Sequence, residues 1–69
     1  MNNDTQTLEL REVLARLVNE HRDLDADIVA LEAMTTSDQL QIKRLKKRKL
    51  AIRDRITAIE DQLLPDIIA

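Results

Sequence analysis

The sequence predicts an all-α fold: two helices folded back antiparallel as a coiled-coil-like hairpin, with copies sharing their remaining apolar surface in a helical bundle oligomer. Three observations carry that prediction. Apolar residues recur in alternating steps of three and four through two separate segments. The stretch Thr35-Thr36-Ser37-Asp38 separates those segments. Acids gather in the first segment and bases in the second.

Residues 1–7 are polar and predict a flexible N-terminus ahead of the first helix. That helix is expected over about residues 8–34. Its row is Leu10, Leu14, Leu17, His21, Leu24, Ile28 and Leu31, a heptad pattern in which His21 is the polar member. Val13, Val18 and Val29 widen the stripe beyond a strict two-helix seam. Short hydroxyl side chains then give way to Asp38, whose carboxylate is suited to accept from the free N–H groups of a helix start. Asp38 with Gln41 three residues on resembles a capping box.

The second helix is expected over about residues 38–64. Its row is Ile42, Leu45, Lys49, Ile52, Ile56, Ile59 and Leu63, with Lys49 as the polar member. Pro65 lacks the N–H that would continue the ladder and ends the helix near Leu64. A short tail, 65–69, follows. Leu40, Leu50, Leu64 and Ile68 fall off the row, so a lone hairpin would leave them wet and a pair of hairpins would cover them.

Charge selects the hairpin. Residues 1–38 hold nine acids and three bases, and residues 39–69 hold four acids and eight bases, within an overall net charge of −2. Folding about Thr35 and Thr36 brings Glu20, Asp23, Asp25 and Asp27 near Lys43, Lys46, Lys47 and Lys49. A parallel in-register pair of copies would instead set like charges together. The same fold-back brings His21 level with Lys49, so the polar breaks of the two rows meet.

Composition excludes several function classes. The 69 residues include no Cys, Gly, Phe, Tyr or Trp. That removes disulfide scaffolds, Cys-ligated metal sites and thiol catalysis, Gly-rich phosphate loops, and aromatic platforms for unpaired bases. The longest apolar run, Ile28-Val29-Ala30-Leu31, is far below the roughly 20 residues of a membrane span. The polar N-terminus is unlike a secretory leader, so a cytoplasmic location is expected.

Two motifs carry a family resemblance. Glu20-His21-Arg22-Asp23-Leu24-Asp25-Ala26-Asp27-Ile28, with Leu31-Glu32, resembles the first signature of the YdcH-like family of small bacterial proteins. Leu45-Lys46-Lys47-Arg48-Lys49-Leu50, with Asp54 and Ile56, resembles its second. Arg53 stands where that pattern has Lys, which keeps the charge. The resemblance spans about residues 8–64. It implies a helical hairpin in a bacterial cytosol, and a domain of unknown function with no reaction or partner attached.

The candidate site residues fall into three groups. His21, Lys49 and Asp25 form an expected polar core layer, in which a buried polar residue sets register and partner number at some cost in stability. A metal reading would need His21 and Asp25 from two copies at an oligomer axis, and no ligand spacing supports it. Leu50, Leu64, Ile67 and Ile68 are the candidate protein contacts. Lys43, Arg44, Lys47 and Arg48 are the candidate polyanion contacts, although the bases spread around the helix and the acidic first helix opposes them. Ser37 lies in the turn, far from His21, so a Ser–His nucleophile pair is not expected.

The sequence therefore reads as a small non-catalytic structural or interaction protein, without cofactor or metal, acting through its helix surfaces. The expected partner is a second copy, as a dimer or tetramer, or another protein. A nucleic-acid or polyanion-associated protein using the basic segment 43–55 is the alternative, and no membrane contact is expected.

Overall fold

A computed structural model describes residues 2–36 and 38–63. Two helices, α1 (Asn2–Glu32) and α2 (Gln39–Leu63), pack against each other, and the described residues contain no strand. The all-α antiparallel hairpin predicted from the heptads is the observed fold.

The helix ends differ from the sequence expectation in instructive ways. α1 begins at Asn2, not near residue 8. Once the Leu-rich segment has nucleated a helix, each added residue gains a hydrogen bond, so a polar lead-in joins it at small cost. At its other end α1 stops at Glu32. Ala33 N still donates to Val29 O at 3.1 Å, but Met34 N turns to Leu31 O at 3.1 Å, the tighter spacing typical of a closing turn. No described residue takes a positive φ. Asp38 opens α2: its Oδ1 accepts from Leu40 N at 3.0 Å and Gln41 N at 3.2 Å, and its carbonyl takes the first helical bond from Ile42 N. The Asp38 half of the expected capping box is thus made. The tail, 65–69, lies outside the described residues.

The two rows form the seam. Leu17, Leu24, Ile52 and Ile59 make its buried centre, with Leu10, Val13, Leu14, Leu45, Ile56 and Leu63 partly buried around them. Ile28 and Ile42 are buried as well, toward the turn. Every residue of both heptad rows is buried or half-buried, including His21 and Lys49. The molecule measures 54 × 24 × 14 Å, so it is one helix thick. Each helix can bury only the stripe that faces its partner. Val18, Val29, Leu40 and Leu50 remain 37%, 61%, 56% and 52% exposed. No helix among the described residues is long and apolar enough to cross a membrane.

Two substitutions test this account in urea melts. Ile52→Ala removes methyl groups from the centre of the seam and is expected to cost about 2–5 kcal/mol. Asp38→Ala removes the acceptor for two free N–H groups and is expected to cost about 1 kcal/mol.

Candidate functional site

The polar break in the seam is built by one turn of each helix. His21 belongs to the buried row of α1, and Asp25 sits one turn further on, closer to solvent. Lys49 holds the equivalent row position on α2. Its Nζ donates to Asp25 Oδ1 at 2.6 Å. The Lys49 side chain is 33% exposed and that of Asp25 is 56% exposed, so this pair bridges the rim of the seam and does not lie inside it. Ion pairs of this exposure contribute modestly, because solvent screens them. His21 Nε2 is sealed from solvent and has no hydrogen-bond partner.

A groove of about 270 Å³ runs beside this layer, lined by His21, Lys46, Lys49, Leu50 and Arg53. His21 and Lys49 therefore share one recess, as the matching of the two rows requires. Leu50 forms part of its wall while staying half-exposed. Sequence reasoning did not single out Arg53 for this recess. Its place three residues beyond Leu50 on the same flank was the available signal.

Two further ion pairs tie the helices: Lys46 Nζ to Glu32 Oε2 at 3.0 Å, and Arg48 Nη2 to Glu20 Oε2 at 3.6 Å. The acid–base attraction between the segments is present, but its membership differs from the expected set. Asp23, Asp27, Lys43 and Lys47 form no ion pair with any described residue, whereas Glu32 and Arg48 do. The reason is angular. Side chains that flank the seam can reach across, and those pointing away from it cannot, whatever their level along the helix. Of the candidate polyanion contacts, Arg48 is held by Glu20, while Lys43, Arg44 and Lys47 are exposed and unpaired among the described residues. The candidate protein contacts Leu64, Ile67 and Ile68 lie outside the described residues, as does Ser37.

The Lys49 ammonium holds the Asp25 carboxyl below its ordinary value of 3.8, first by the hydrogen bond and then by charge attraction, with a smaller contribution from His21. Nothing in this arrangement aims a free nucleophile or base into a cleft: Lys49 is ion-paired and His21 Nε2 is shut in. Among the described residues, no three His, Asp or Glu side chains stand close enough to share a metal ion.

What fold and site define together is a short helical hairpin whose distinguishing chemistry lies in its charged flanks and one polar layer. Residues 14–60 match the family described as a protein of unknown function, DUF465, and the chain belongs to that family. The YdcH-like resemblance of its two motifs agrees with this assignment. No curated protein and no solved structure matches the chain.

Two outcomes are expected at this layer. Because Asp25 is depressed in the folded state, its contribution is present above the ordinary carboxylate pKa and is lost as pH falls below 3.8. Asp25→Asn should therefore reduce stability at pH 7 and flatten its loss under acid, as read from urea midpoints across that range. His21→Leu removes a buried atom that lacks a partner and should raise stability, by about 1–2 kcal/mol, in the same assay.

Proposed function

We propose that this chain is a small non-catalytic structural or interaction protein that works through its helix surfaces and assembles with itself as a dimer or tetramer. The observation that carries this reading is the apolar surface left by a hairpin one helix thick, with Val18, Val29 and Leu50 exposed. A chain of this size has a small core, and burying further apolar area between copies is the stabilising route open to it without disulfides. The ion-paired lysine and sealed histidine favour a structural role for the polar layer over an acid–base one.

A second reading is contact with nucleic acid or another polyanion. It is favoured by one observation: Lys43, Arg44 and Lys47 on α2 are exposed and make no ion pair with the described residues. The acidic surface of α1 opposes it, as does the overall net charge of −2.

Sedimentation equilibrium separates the outcomes. Self-association predicts a mass above that of one chain at micromolar concentration and a melting temperature that rises with protein concentration. A folded monomer throughout that range would contradict it. For the polyanion reading, duplex DNA titrated at increasing salt should show binding that weakens with salt. No binding at physiological ionic strength removes that reading.

A further inference from the structure

The two broad faces of the hairpin are not alike. With 3.6 residues per turn, Glu9, Arg16, Glu20, Asp23 and Asp27 of α1 and Arg44, Arg48 and Arg55 of α2 fall on one face, where charges predominate beside the half-buried Val13. The other face carries the His21 groove, the Lys49–Asp25 and Lys46–Glu32 pairs, and the exposed apolar residues Val18, Val29 and Leu50.

On that second face α1 presents one stripe, Val18, Arg22, Asp25 and Val29, spaced by four, three and four. The stripe reads the same in reverse once signs are exchanged: Val, base, acid, Val against Val, acid, base, Val. Laid antiparallel on a copy of itself, Val18 meets the partner's Val29 and Arg22 meets the partner's Asp25, and each contact occurs twice. This is the self-complementarity an isologous two-fold interface requires. Arg22 has no ion pair among the described residues, and Asp25 uses only Oδ1 toward Lys49.

The level of that two-fold axis can be read from α2. The three ion pairs between the helices set which residues of α1 and α2 lie side by side. The midpoint between Val18 and Val29 then falls level with about residue 50, the exposed leucine of this face. An axis at that level places Leu50 against the partner's Leu50. Stacking two copies with their turns at the same end would instead set Leu50 over the partner's Arg22 and Asp25. The charge pattern of the α1 stripe and the matching of apolar residues favour the same arrangement, while on α2 that arrangement sets Lys46 level with the partner's Arg53, a like-charge contact that the two Arg22–Asp25 pairs offset.

Resting on the self-association reading above, we propose that a second copy of this chain covers the Val18–Val29–Leu50 face, with its turn at the opposite end. The occupied face buries Val18, Val29 and Leu50 and adds two Arg22–Asp25 pairs between copies. The charged face stays free.

The absence of native cysteine allows a direct test. Val18→Cys and Val29→Cys chains are prepared separately, mixed in equal amounts and air-oxidised. The mixture should give a disulfide-linked dimer containing one chain of each. Val18→Cys alone should give little, because in this register two copies of residue 18 lie about 16 Å apart, beyond disulfide reach. Both positions are exposed, so the cross-link does not depend on a monomer staying folded. In parallel, Val29→Lys should weaken association at least tenfold in sedimentation equilibrium. Self-linking of Val18→Cys as efficient as the mixture, or a Val29→Lys chain that associates as tightly as the parent, overturns this face and register while leaving self-association in place. A parent chain that stays monomeric overturns both.

Discussion

The seam between α1 and α2 is the constraint on which the rest of the structure depends. Two helices can hide only the stripes that face each other, and here those stripes are Leu and Ile at three- and four-residue spacing. Everything else follows from being outside that stripe. Flanking charges pair across the rim, outward charges stay solvated, and off-row aliphatics remain exposed. Among the described residues, a hairpin one helix thick offers no third element to cover them.

Within this seam the apolar rows are interrupted at His21 and Lys49, which are half-buried. Lys49 replaces an aliphatic side chain and compensates by reaching Asp25, while His21 offers an acceptor or donor that nothing meets. A slide of one helix along the other by one heptad would separate Lys49 from Asp25 and press it against leucine or isoleucine. The charge asymmetry acts in the same sense over a longer range. The acidic first segment and the basic second one favour folding back over parallel in-register pairing of copies before any side chain is packed.

Membership of a family of unknown function adds no chemistry to this picture, so the functional argument rests on surfaces. Those surfaces are unequal. Both faces carry charges and grooves, but the exposed apolar residues Val18, Val29 and Leu50 lie on one of them. A helix stripe of matched apolar and charged residues is one means of recognition that this composition supplies.

Much of this was determined by the sequence alone. Spacing of Leu, Ile and two polar residues defined both helices and their buried faces, because helical periodicity maps directly onto side-chain direction. Asp38 marked the start of α2 through a bond it makes within its own turn. The start of α1 was less legible, since polar residues carry no periodic signal and join the helix by propagation. Only the tertiary structure decided which charges pair. Asp23 and Lys47 look as well placed in the sequence as Glu20 and Arg48, but a pair forms only where both side chains flank the seam, and that angle is fixed by how the two helices meet. The same packing decided that Val18, Val29 and Leu50 share one face, a relation between two helices that neither helix encodes by itself.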